Sequence, residues 1–122
     1  MSEIYELPKT FTWLSPWHPI EDERSHPGLR GASSEEPSLV KELEREMPQG
    51  HVLSGLSLKA IAYCSADPEE FLFLSNDPKK PIACVHLTWK KETNPQWPHT
   101  DIYESAEEWL AQMKREHEGN AT

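Results

Sequence analysis

The chain is predicted to fold as an α+β domain: an antiparallel three- to four-stranded sheet packed against two helices, with an irregular Pro/Trp-rich N-terminal arm. Three observations lead there. Apolar residues alternate with period two through Leu58-Lys-Ala-Ile-Ala-Tyr-Cys64 and from Ile82 onward. Short turns rich in Pro, Asp and Asn separate these runs, and connections that short join antiparallel neighbours. Two stretches of helical period, each opened by a Ser with Glu three residues later, flank the strands.

The expected organisation is an arm over residues 1–32, a single α+β domain over 33–117 and a fraying tail at 118–122. Pro8, Pro16, Pro19 and Pro27 interrupt regular structure in the arm, because each fixes its own φ and lacks an amide donor. Phe11, Trp13, Leu14, Trp17 and Ile20 are too apolar for a solvated tail, so the arm should lay its aromatics on the body of the domain. Residues 21–31 read as a loop.

The first helix is expected to begin at Ser33 or Ser34, with Ser33 and Glu36 as a capping box and Pro37 tolerated in the first turn. Leu39, Val40, Leu43 and Met47 form its buried stripe, and Lys41, Glu42, Glu44, Arg45 and Glu46 take the wet side. Pro48 and Gly50 end it.

The strand at 58–64 is apolar on both faces, as an interior strand should be. Residues 65–70 form a turn, since Pro68 cannot join a central ladder. Phe71-Leu-Phe-Leu-Ser75 is a short strand and residues 76–81 are a second turn. In the next strand Ala83, Val85, Leu87 and Trp89 belong to the core, while Ile82, Cys84, His86 and Thr88 face the other way. Residues 101–104 add an edge strand. Ser105 with Glu108 caps a helix whose stripe is Ala106, Trp109, Leu110, Met113 and His117, and both helices are placed on one face of the sheet.

With 122 residues, one domain and one core fit the length. Twelve Lys and Arg against 21 Asp and Glu give a formal charge of −9. That surface repels phosphate backbones, so nucleic acid is not an expected partner, while basic or mixed-charge proteins are compatible. The N-terminus has neither a basic start nor an apolar run of signal-peptide type, and no stretch approaches the ~20 apolar residues of a transmembrane helix. Cys64 and Cys84 lie on strands two apart in the meander, about 9–10 Å at the usual spacing, which is beyond disulfide reach. Reduced thiols and a cytoplasmic location follow as expectations.

Residues 50–110 carry a resemblance. Gly50-His51, Gly55, Leu58-Lys-Ala-Ile-Ala62, then Val85-His-Leu-Thr-Trp89 and Trp97-Pro-His-Thr-Asp-Ile-Tyr-Glu-Ser-Ala-Glu-Glu-Trp109 resemble a family of small bacterial α+β proteins. That family has a His-Leu-Thr-Trp strand and a Pro-x-Thr-x-x-Tyr-x-Ser-x-Glu-Glu-aromatic segment. About half of the chain is covered. The resemblance implies a small cytoplasmic α+β domain and transfers no catalytic residue.

Candidate chemistry concentrates on residues 86–103. Trp97, between Pro95 and Pro98, is either an exposed anchor on a stiff loop or a ring tucked beneath it; Trp is a preferred interface residue. With His86, Thr88, His99, Asp101 and Tyr103 it makes up the expected binding surface. Alternatively, His86, His99 and Asp101 could converge as a metal or acid–base set, although no tight ligand spacing supports this. Otherwise His86 simply bonds Thr88 or a carbonyl. A Cys84–His86 nucleophile would need a lowered thiol pKa that this acidic chain does not offer. No phosphate loop, G-x-S-x-G or C-x-x-C is present, and no cofactor is called for. The leading expectation is a non-enzymatic protein-binding module of the accessory or immunity type, monomeric or weakly homodimeric. The alternative is a metal-binding or hydrolytic site on His86, His99 and Asp101.

Overall fold

The computed structural model describes residues 3–9, 11–13, 16–20 and 38–118. The expected loop at 21–31 and the Ser33, Glu36 and Pro37 positions lie outside these residues. Among the described residues, five strands form one antiparallel sheet in sequential order: β1 (Trp17–Pro19), β2 (Leu58–Cys64), β3 (Asp67–Ser75), β4 (Ile82–His86) and β5 (His99–Tyr103). Helix α1 (Leu39–Glu46) precedes β2, and α2 (Ala106–Glu118) follows β5. The class is α+β, with one more strand than the sequence led us to expect.

The extra strand is β1, inside the arm expected to be irregular. Its three residues pair with Cys64, Tyr63 and Ala62. A proline can occupy an edge strand, where its missing N–H costs no ladder bond, and Pro19 does so.

The interior strands dictate the layering. Phe71 and Phe73 enter one apolar cluster, whereas Leu72 and Leu74 enter another. Ala83 and Val85 likewise oppose Ile82 and Cys84. Strands apolar on both rows need cover on both faces. Leu39 and Leu43 of α1 supply one cover, and Ala106, Trp109 and Met113 of α2 supply the other. The helices therefore lie on opposite faces, which corrects their expected placement on one. The row containing Ile82 and Cys84 is buried too, and of that row only His86, at the strand end, is partly exposed.

Two irregularities in β2–β3 matter. Ala60 pairs with Phe73 but Ala62 with Leu72, so the register slips at Ile61 and moves Ala62 and Cys64 to the α2 face. Next, Tyr63 pairs with Phe71 and Cys64 with Asp67. Strand β3 thus starts at Asp67, earlier than expected, because the interrupted ladder accommodates Pro68.

Helix α1 is capped by Ser38 rather than Ser33: Ser38 is extended, and its hydroxyl accepts the Lys41 amide at 3.0 Å. Helix α2 begins as expected, with the Glu108 amide donating to the Ser105 hydroxyl at 3.1 Å. The arm rings pack around Trp109, with Phe11, Trp13 and Trp17 centroids 6.0, 5.7 and 5.4 Å from it. Among the described residues no helix is long and apolar enough to cross a membrane.

Candidate functional site: a groove framed by Trp97 and Val52

The site begins with two carboxylates on α1. Leu39, Leu43 and Glu46 sit at i, i+4 and i+7, so Glu46 shares the buried stripe, and Glu42 lies beside it. Both are buried, which corrects their expected place on the wet side. Glu42 is chelated by Arg45, Nε to Oε1 at 3.1 Å and Nη2 to Oε2 at 2.8 Å. Glu46 accepts the Thr88 amide at 2.8 Å, the Thr88 hydroxyl at 3.0 Å and the Trp89 amide at 2.9 Å. Its carbonyl also accepts the Glu92 amide at 3.1 Å. Burial pushes the Glu46 carboxyl up to about 8, assisted by hydrogen bonding to Glu42 and opposed by the Thr88 and Trp89 amides.

This clamp explains where β4 stops. The strand ends at His86, and Trp89 adopts φ +60, a left-handed conformation costly for a non-glycine residue, with its amide held by Glu46. Thr88 therefore turns to α1 instead of sharing the His86 face. Trp89 still packs on the α1-side core.

A second clamp holds the far end of the loop. His51 is buried, accepts the Leu53 amide on Nδ1 at 3.1 Å and donates from Nε2 to the Pro98 carbonyl at 2.9 Å. Those partners require the Nε2–H tautomer, and burial lowers the imidazole pKa against the pull of that carbonyl. The Thr100 hydroxyl donates to the same carbonyl at 3.0 Å. Gly50, at φ +96, makes the turn into His51, and a Cβ there would meet the Pro95 ring at 3.7 Å. Within the loop, the amides of Gln96 and Trp97 donate to the side chain and carbonyl of Asn94, both at 2.9 Å.

The indole of Trp97 stands out from this frame, 45% exposed, although the adjoining Pro98 is buried. Val52, 37% exposed, is the other large exposed hydrophobic among the described residues. Both line one groove of 380 Å³, together with His51, Pro95, Gln96 and Thr100. The sequence offered two readings of Trp97, and the solvent-facing one is the observed one.

The remaining candidates separate. His99 pairs with Asp101 at 3.4 Å, and the Trp97 and His99 ring centroids are 6.4 Å apart. His86 turns to β3, with Nδ1 3.6 Å from Asp67 and Nε2 3.9 Å from Glu69. Among the described residues, the set of three or more His, Cys, Asp or Glu whose ligating atoms lie within 4.8 Å of one another is Asp67, Glu70 and His86. His86, His99 and Asp101 do not meet as such a set. Tyr103 is half-buried against the α2-side cluster. Cys64 and Cys84 are not disulfide-bonded and are buried, and burial raises the Cys64 thiol pKa, so a thiolate is disfavoured there.

Glu46, His51, Val52, Asp67 and Glu70 were absent from the sequence-derived site. Glu46 carried a signal in its i+7 spacing from Leu39. Asp67 and Glu70, three apart, belong on opposite faces of a regular strand, and the register jump is what lets both approach His86. Family models, curated proteins and solved structures yield no match to this chain.

Proposed function

We propose that the chain is a small cytoplasmic protein-binding module, of the accessory or immunity type, that recognises another protein through the Trp97 groove. The observation that carries this reading is that the two large exposed hydrophobics share one groove whose walls are fixed by buried hydrogen bonds. An aromatic ring presented by a stiff frame loses little freedom on binding, which suits an interface anchor. The formal charge of −9 favours a basic protein over nucleic acid. His99, Asp101 and Thr100 supply a polar rim beside the ring.

The test is capture of a partner from host lysate, followed by measured affinity of that partner for wild type and for Trp97→Ala. The module reading predicts at least about a tenfold loss with the fold intact, since an anchor ring carries ≥ ~1.4 kcal/mol. Unchanged affinity removes the groove from the interface.

A second reading, metal binding, is favoured by the convergence of Asp67, Glu70 and His86. Two carboxylates and an imidazole suit a borderline divalent ion such as zinc, with water completing the shell. Zinc titration should then shift the His86 imidazole resonances, and Asp67→Asn should abolish the shift. A shift that persists in Asp67→Asn, or none at all, dismisses it.

A further inference from the structure

Among the described residues, strand β5 ends the sheet and is bonded to β4 alone. The ladder fixes which of its backbone groups point outward. The Leu87 amide donates to the Glu69 carbonyl at 2.9 Å and the Ser75 amide to the Pro81 carbonyl at 3.0 Å. Odd-numbered residues of β4 and its extensions therefore bond β3. Ile82, Cys84 and His86 turn their N–H and C=O groups towards their partners Tyr103, Asp101 and His99. Thr100 and Ile102 consequently aim theirs away from the sheet. Among the described residues, none hydrogen-bonds the backbone N–H or C=O of either.

On either side of this pair, the Pro98 carbonyl and the Glu104 amide are occupied. The Pro98 carbonyl accepts from His51 and from the Thr100 hydroxyl, and the Glu104 amide donates to the Glu108 carboxylate at 3.2 Å. Among the described residues, Thr100 and Ile102 remain as an open stretch with two donors and two acceptors. It borders the recognition groove, because Thr100 lines that groove.

We propose that the partner binds by adding an extended segment antiparallel to the free edge of β5, with an apolar–basic–apolar pattern centred opposite Asp101. This deepens the reading of the Trp97 groove as a recognition surface and rests on it. Strand addition satisfies the Thr100 and Ile102 groups, and alternate side chains then fall on the two faces of the sheet. The residue opposite Asp101 shares the face of an exposed carboxylate, where a cation fits. Its two neighbours share the face of Thr100, which lines the groove with Val52 and Trp97, and of Ile102, which is half-buried against the α1-side core.

A second copy of the chain fits poorly. A two-fold axis at Asp101 sets like carboxylates opposite each other. An axis at Thr100 sets Ile102 against Pro98, which has no N–H and whose carbonyl is taken. An axis at Ile102 sets Thr100 against Glu104, whose amide is already held by Glu108. A different chain avoids all three conflicts.

The experiment uses the full chain, isotopically labelled, and the peptide Val-Lys-Val-Lys-Val-Lys-Val-Lys-Val as probe. Binding should shift the Thr100 and Ile102 amides. N-methylation of the valines should abolish it, because valine opposite Thr100 and Ile102 donates the bonds when lysine faces Asp101. N-methylation of the lysines should change affinity less than about twofold, and replacing every Lys by Glu should weaken it at least about tenfold. No binding at about 1 mM peptide, or binding indifferent to valine methylation, overturns the strand proposal. Concentration-dependent dimerisation that protects the same two amides makes the occupant a second copy and overturns it as well. The groove reading fails separately, through unchanged affinity of the captured partner for Trp97→Ala.

Discussion

The two faces of the sheet are closed by different chemistry. On the α2 face Trp109 is ringed by Phe11, Trp13 and Trp17, and its indole N–H finds no acceptor among the described residues. On the α1 face an apolar centre is bordered by Glu46 and His51, whose polar atoms are matched to named loop amides and carbonyls. Burying an aromatic cluster contributes cohesion without direction. Buried polar groups add less net stability but fix conformation, because a lost partner leaves an unsatisfied group in low dielectric. The α2 face therefore holds the fold together, while the α1 face sets the course of the 87–98 loop and the pose of Trp97.

The largest expected effect belongs to the α2 face. Trp109→Ala empties the centre of the aromatic cluster and should cost about 3–5 kcal/mol in urea unfolding, with release of the arm rings. A small loss would show that the arm contributes little cohesion. Next comes Glu46→Ala, which strands the Thr88 and Trp89 donors and should cost roughly 2–4 kcal/mol. Hydrogen exchange should then accelerate at Thr88, Trp89 and Glu92 while the Trp17 neighbourhood stays protected.

Glu46 also gives the α1 face a pH signature. Its carboxyl titrates near 4.5 in an unperturbed chain and near 8 in the fold, so between those values the native state holds the extra proton. The contribution of this group to stability is complete below about pH 4.5 and is lost as pH rises through about 8. Glu46→Gln should flatten that decline in a pH series of unfolding curves. An unchanged slope would mean that the Thr88 and Trp89 amides keep the carboxylate ionised.

His51→Ala should have a smaller effect, roughly 1–3 kcal/mol, by stranding the Leu53 amide and leaving the Pro98 carbonyl with the Thr100 hydroxyl alone. Its readout is disorder of the Trp97 ring by fluorescence anisotropy. Loosening without global unfolding would sharpen the division between the faces.

The parts legible in the sequence were those governed by local rules. Alternation placed β2 and β4, Asp and Pro marked the turn after Ser75, and the Ser105–Glu108 pair opened α2. Trp109 was readable as core from its helical stripe. Strand β1 was not, because three residues beside two prolines show no period and their partner lies more than forty residues along the chain. Glu42 and Glu46 were misplaced because charge was taken to mean solvent, whereas both fall on the stripe of Leu39 and Leu43. The site suffered similarly. Trp97 could be singled out as a ring on a stiff loop, exposed or tucked beneath it, but His51 and Val52 join it only through a turn. His86 meets Glu70 across the β3–β4 ladder, and Asp67 joins them only because a register jump redirects it.

Trp97→Ala is expected to cost least, under about 1 kcal/mol, because nearly half of the ring is already in water. That same substitution tests the division of labour most directly. Measuring melting temperature and affinity for the captured partner side by side should give a shift within about 2–4 °C and at least about a tenfold weaker complex. A protein that melts far earlier, or one that binds its partner as before, would contradict the assignment of this ring to recognition rather than to the fold.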